Sequence, residues 1–268
     1  MVSIVAFGDG ALLVTLGDRI DLALNRRVHR LARLVSEEAE ASRSSGRPTW
    51  GTPVPAYASL LVPYDPEDVG ADEAGERLAA IVDRREEIPA STLDAPRRED
   101  PPIEIPVRYG GGHGPDLEVV ARERDLAPID VVRLHAGTTY TVFMLGFVPG
   151  FAYLGTLPAE LVMPRRSSPR VRVLAGSVGI AGEQTAIYPS ETPGGWQLIG
   201  RTDLKVWDIE RDPPALLAPG TDVSAVQSIG PCLSGDAFSN FGMLSRSSPG
   251  TWLMQSPPRA ARRTPRRP

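Results

Sequence analysis

The stretch "SETPGGWQLIGRTDLKVWD", Ser190 to Asp208, decides how the second half of the chain is read. Its texture is that of a strand, yet Gly194, Gly195 and Gly200 stand where a strand that only packs would carry side chains. Pro193 followed by two glycines makes a tight turn. Trp196 can close one wall of a cleft there, with Gln197 and Arg201 beside it. Two readings fit: a barrel corner, or a pocket in which a ligand touches backbone.

The surrounding sequence repeats this texture. From Thr138 to about Val226 short apolar runs are broken by Gly and Pro every few residues, with almost no helical period, as expected of an all-β barrel or sandwich. In "YTVFMLGFVPGFAYLG", Tyr140 to Gly155, the aromatics read as core, and Gly146 and Gly150 as points of close backbone approach by a strand or a ligand. "MPRRSSPRVRV" carries Arg165, Arg166, Arg170 and Arg172 next to Pro164 and Pro169. They fit either a fixed fork for a carboxylate or phosphate, or a set of surface salt bridges. "LAGSVGIAGEQTAIYPS" spaces Gly176, Gly179 and Gly182 three apart. Ala175 breaks the G-x-S-x-G pattern, so Ser177 is not expected to be a nucleophile. Neither G-x-G-x-x-G nor a P-loop signature occurs. Gln184 and Tyr188 are polar residues in an apolar setting, able to orient a bound amide or carboxylate or to satisfy buried backbone groups.

The first half reads differently. "IVAFGDGALLVTLG" alternates and turns at Gly8-Asp9-Gly10, a hairpin pattern. Leu24, Val28, Leu31 and Val35 recur at helical spacing after Asp21, and Leu78, Ile81 and Val82 mark one face of a second helix. "AYASLLVPYD" between them is a short strand. This order predicts a small α+β layer over residues 1–89, with helices on one side of an antiparallel sheet. Residues 90–102 read as a linker and 103–228 as the barrel domain. That domain opens with a strand, "IEIPVRYGG", and two short helices, the second with Pro128 in its first turn. His135 ends that helix, where the dipole favours an imidazolium cap. Residues 229–268 read as a disordered Pro/Arg-rich tail.

Bulk properties narrow the class. With 29 Lys and Arg against 33 Asp and Glu, the net charge of −4 gives no electrostatic case for nucleic acid or an anionic membrane. A single cysteine, Cys232, excludes an internal disulfide, and three scattered histidines show no metal-ligand spacing, so no metal site is expected. The uncharged run from Ala136 to Ala159 is broken by glycines and prolines and reads as buried strands. No signal peptide is expected, and the cytoplasm is the default compartment.

The blocks "GFVPGFAYLG", "PRRSSPR", "AGSVGIAGEQTAIYP" and "TPGGWQLIGRT", with "VPAYASLLVPYDP", "IPVRYGG", "HGPDL" and "LHAGTTYTV" upstream in the same order, resemble the B-type subunits of bacterial 5-oxoprolinase. The family is also known as allophanate hydrolase subunit 1, and it includes a sporulation kinase inhibitor. The resemblance covers roughly residues 3–225. It implies an α+β N-terminal domain and a cyclophilin-like barrel, with a homologous second (C-type) subunit and a separate A-type subunit as partners. It further implies ATP, with Mg, as co-substrate for opening 5-oxoproline to glutamate. Phosphorylating the lactam oxygen supplies a leaving group, and such a site needs cations where charge develops. Arg165, Arg170 and Arg201, with Gln184 and His135 as polar partners, are the candidates carried over. Tyr188, Gly150, Gly194, Gly195 and Trp196 are the candidate binding positions. Kinase inhibition and urea-related amide hydrolysis are the alternatives. Departing from the family pattern, "LLAPGTDVSAVQSIGPC" begins the last strand weakly and runs into the arginine-rich tail.

Overall fold

A hairpin opens the chain, as its alternation predicts: β1 (Ser3–Ala6) pairs antiparallel with β2 (Ala11–Thr15). The structure is a computed structural model that describes residues 2–44, 49–87 and 101–228. Helix α1 (Leu22–Ser44) follows, then β3 (Val54–Pro55), β4 (Ser59–Pro63) and α2 (Ala71–Glu87). The sheet order is β1-β2-β4-β3, antiparallel throughout. Val28, Leu31 and Val35 of α1 and Leu78, Ile81 and Val82 of α2 are buried with Leu12, Val14, Leu60 and Val62 of the sheet in one core. Apolar residues at three- and four-residue spacing on the helices thus meet every second residue on the strands. Helix α1 starts where Asp21 Oδ1 accepts from the Leu24 backbone N–H at 2.8 Å.

The remaining elements build the barrel. Strand β5 (Ile103–Tyr109) leads into α3 (Leu117–Glu123) and α4 (Pro128–Ala136), with Pro128 in the first turn as expected. Next come β6 (Thr139–Leu145), β7 (Ala152–Gly155), β8 (Arg170–Val173), β9 (Ser177–Ala181), β10 (Gln184–Ile187), β11 (Thr192–Gly194), β12 (Gln197–Arg201) and β13 (Asp222–Gln227). Seven of these close in the order β10-β7-β6-β13-β5-β12-β9, while β8 and β11 form a separate two-stranded ribbon. The strand that begins weakly at "DVSAVQ" is fully formed. β13 pairs parallel with β5 and antiparallel with β6, and so completes the closure. The uncharged run at 136–159 becomes β6 and β7, and among the described residues no helix is long and apolar enough to cross a membrane. Most of the expected linker and the whole expected tail lie outside the described residues.

The barrel interior is lined by Ile105, Val107, Tyr140, Leu154, Val178, Ile180, Ile187, Ile199 and Val223. On the outer side of β7, β10 and β9 sits a second layer, with Phe151, Val173, Ala181, Ala186, Tyr188, Trp196 and Leu198 buried together and Tyr153 packed against them. Strand alternation assigns neighbouring residues to these two layers. Gln184 and Ala186 face outward, Thr185 and Ile187 inward.

Candidate functional site

The outer layer is where polar chemistry and aromatic walls meet. Phe151 is its hub, edge-on to Tyr188, Trp196, Tyr153 and the exposed Phe147 at centroid distances of 4.9 to 5.8 Å. Edge-to-face contacts of this kind hold rings at defined angles. Phe147 itself has φ +66°, a left-handed backbone that a bulky residue adopts only under constraint. From the first half of the chain, the loop between β3 and β4 brings Tyr57 onto this face. Its ring lies edge-on to Phe143 at 6.1 Å and Tyr153 at 5.9 Å. Buried Asn25 on α1 anchors that loop, its Nδ2 donating to the carbonyls of Ala56, Tyr57 and Phe143.

Gln184 sits at the centre of this meeting point, 7% exposed. The Tyr57 hydroxyl donates to its Oε1 at 2.7 Å. Its Nε2 is shielded from solvent and has no hydrogen-bond partner among the described residues. An unpaired buried donor of this kind costs about 1–3 kcal/mol, a penalty that packing alone does not explain. Burial pushes the Tyr57 phenol up to about 12, with the Gln184 bond and the nearby Arg165 charge opposing it. Burial also raises Tyr153 and Tyr188, again partly offset by Arg165. Arg165 is therefore a cation beside three tyrosines, and it pairs with no carboxylate among the described residues.

The other arginines have different partners. Arg170 Nη2 and Arg166 Nη1 both donate to Oδ1 of Asp116, at 2.7 and 3.0 Å. Asp116 Oδ2 accepts from the Leu198 backbone N–H at 2.7 Å, and the Asp116 N–H returns a bond to the Leu198 carbonyl at 2.9 Å. The arginine fork exists, but it grips an internal carboxylate. Arg172 forms an exposed pair with Glu191, and Arg201 Nε donates to the Ala175 carbonyl at the end of β12.

His135 is inside the barrel, across the wall from Gln184. Its Nδ1 is 2.7 Å from the Tyr109 hydroxyl and its Nε2 2.9 Å from Thr185 Oγ1, which in turn donates to the Gly179 carbonyl at 3.1 Å. One neutral tautomer satisfies the whole relay: Nδ1 accepts from Tyr109, and Nε2–H donates to Thr185. Burial lowers the imidazole pKa to about 3. The charged helix cap expected from position alone is therefore replaced by a neutral core histidine, because desolvation outweighs the dipole. Only about 10 Å³ of free space adjoins it. A roomier surface cavity of about 190 Å³, lined by Leu34, Glu37, Glu38, Ile81 and Arg84, lies on the α1–α2 face, away from all of these groups.

The chain is similar to known proteins over most of its length. Residues 2–217 match the family described as carboxyltransferase domain, subdomain C and D. The B subunit of 5-oxoprolinase from Bacillus subtilis (strain 168) is 40% identical over 82% of this chain and 90% of its own length. The corresponding B subunit from Escherichia coli O157:H7 is 43% identical over 84% of this chain and 96% of its own. The chain belongs to the family of 5-oxoprolinase B subunits. The crystal structure of TTHA0988 superposes with a TM-score of 0.66 at 34% identity, covering 84% of this chain. The present chain spans about 40% of that longer one.

In this member of the 5-oxoprolinase B-subunit family two of the glycines that suggested a ligand, Gly150 and Gly194, face its own side chains. A Cβ on Gly194 would fall 2.4 Å from the Tyr188 hydroxyl, and one on Gly150, at φ +78°, would strike Trp207 at 2.7 Å. Gly195 has ordinary room, with Pro169 at 3.7 Å. We therefore expect Gly194→Ala to lower stability by about 1–3 kcal/mol, an overpacking cost, with Gly195→Ala within about 0.5 kcal/mol of wild type. Urea unfolding of the two variants checks this, and equal losses would contradict it.

Of the sequence candidates, the structure brings Gln184, Tyr188, Trp196 and Arg165 to one face. Arg170 stands in the Asp116 cluster, Arg201 at a strand end and His135 behind the wall. Tyr57, Asn25 and Asp116 were missed. Each lies inside a resembling block or a plain amphipathic helix, and only the tertiary fold gives it a partner.

Proposed function

We propose that this chain is a cytoplasmic component of an ATP-dependent 5-oxoprolinase, opening 5-oxoproline to L-glutamate in complex with a homologous C-type subunit and a separate A-type subunit. The observation that carries this reading is the match to 5-oxoprolinase B subunits over nine-tenths or more of their length. The site supports it in kind. A lactam needs an amide-complementary edge, an apolar wall and a cation for its carboxylate, and Gln184, the Tyr57–Tyr153 rings and Arg165 supply these on one face. A triphosphate needs several uncommitted cations. Arg166 and Arg170 are spent on Asp116, so the present chain fits the lactam, while the nucleotide with its Mg is assigned to residues of the partners. Neither kinase inhibition nor allophanate hydrolysis draws support from the two near-full-length relatives.

The chemistry then divides cleanly. The lactam carbonyl oxygen attacks the terminal phosphorus of ATP with ADP leaving. Water adds to the activated ring carbon, and the tetrahedral adduct collapses by breaking the C–N bond, with the nitrogen leaving as a protonated amine. A second water hydrolyses the resulting acyl phosphate to glutamate and phosphate. The test is ATP-coupled glutamate formation from 5-oxoproline by this chain alone and with its cognate subunits. Turnover only in the assembled complex is the expected result. An assembled complex that releases no glutamate from 5-oxoproline would sink the reading.

A further inference from the structure

We propose that the Gln184 carboxamide is the docking edge for the lactam group, pairing with its N–H and C=O together, and that Tyr57 is the positioning residue that fixes the amide's orientation. This rests on the 5-oxoprolinase reading and names what this chain contributes to it. A five-membered lactam is locked cis, so its N–H and C=O lie side by side along one edge. A primary carboxamide presents the complement, with an accepting Oε1 beside a donating Nε2.

Half of that edge is already defined. The Tyr57 O–H occupies one lone pair of Oε1 at 2.7 Å, and the second lone pair remains for a lactam N–H. Nε2, buried and without a partner among the described residues, matches the lactam oxygen. A glutamine amide can flip end for end, and a donor held against one end decides which way it points. Tyr57 is such a donor, because its elevated pKa keeps the hydroxyl protonated and Asn25 fixes its loop. The apolar ring edge then faces Tyr57 and Tyr153, and Arg165 is the cation for the carboxylate. Since Nε2 is shielded, this pose requires one of the neighbouring rings to swing aside to admit the ligand.

The pairing also serves the reaction. Donation from the lactam N–H to Oε1 shifts electron density toward the lactam oxygen. Nε2 uses one lone pair of that oxygen and leaves the other to attack phosphorus.

The test uses the assembled complex with 5-oxoproline and with the lactone of 2-hydroxyglutarate, which keeps the carbonyl and carboxylate but lacks the N–H. Wild type should bind the lactone about 10-fold more weakly, judged by competition. Gln184→Met should raise the 5-oxoproline KM ~10–100-fold and erase the lactam preference. Tyr57→Phe should raise KM by roughly 3–10-fold and narrow the preference. A merely structural role would move Tm without moving the lactam-to-lactone ratio. A folded Gln184→Met variant with unchanged KM and ratio overturns the proposal. If that variant does not fold, an unchanged ratio in Tyr57→Phe overturns it instead. Should the wild-type complex turn over no 5-oxoproline, the activity fails separately. Calorimetric titration of 5-oxoproline then decides the subsite: binding abolished by Gln184→Met sustains it, and no binding ends it.

Discussion

Asp116→Ala should lower the unfolding free energy by about 3 kcal/mol or more, the loss expected when one partner of a buried ion pair is removed. Asp116 is 2% exposed, and its carboxylate serves three donors: two guanidinium groups and the Leu198 N–H. Removing it leaves a buried backbone N–H without its acceptor and two partly buried cations without their carboxylate. Arg170 is the more exposed to this loss, because its Nη1 already has no partner among the described residues. The carboxylate also joins three separate elements, the start of α3, the first residues of β12 and the β8 ribbon, so its loss loosens the outer layer on one side. Urea denaturation of Asp116→Ala, Arg170→Met and the double variant checks this. The double variant should lose far less than the sum, since both changes break the same contacts. A loss below about 0.5 kcal/mol for Asp116→Ala, the size of an ordinary surface substitution, would show the cluster to be solvated instead.

This cluster shows what a sequence exposes and what it hides. Helical spacing of Val28, Leu31 and Val35, the turn at Gly8-Asp9-Gly10 and Pro128 at a helix start are local signals, and each is met by the structure. The Gly/Pro texture after Thr138 likewise announces short strands, and they close into a barrel. Closure itself depends on the parallel pairing of β13 with β5, which joins the two ends of the barrel segment and leaves no local trace. At the site the limit is sharper. Glycines at 150 and 194 say that something approaches closely. They cannot say whether it is a ligand or the Trp207 and Tyr188 rings that actually fill the space. Four nearby arginines say that a carboxylate or phosphate could be held. They do not reveal that Asp116, fifty and more residues earlier, is already there. Conversely Gln184 draws notice as a polar residue in a strand, but its significance lies in Tyr57, 127 residues away. Local rules report the demand for a partner, and long-range folding supplies its identity.

His135 makes the stability of this chain acid-sensitive well before its carboxylates titrate. In the unfolded chain the imidazole takes up a proton near 6.5, while in the barrel burial holds that event down to about 3. Between those values the unfolded state binds the extra proton, so stability rises with pH across this window and falls on acidification. Above 6.5 the neutral ring contributes in full. By pH 4 the penalty amounts to about 3 kcal/mol, from about 1.4 kcal/mol per pH unit once the unfolded ring is protonated. His29 adds to the trend in the same direction, its pKa lowered chiefly by burial, although the Phe143 carbonyl at 3.0 Å opposes that shift. His135→Gln removes the titration while keeping an acceptor and a donor for Tyr109 and Thr185. At pH 7.5 the variant should be less stable than wild type, because the flexible amide cannot reproduce the imidazole's spacing within a packed interior. As pH falls the gap should close, with the two unfolding free energies meeting or crossing by about pH 4. Urea unfolding at several pH values reads this directly. Parallel curves for the two proteins would show that His135 takes up its proton as readily in the folded state as in the unfolded one, and that the Tyr109–His135–Thr185 relay is not the neutral chain its distances describe.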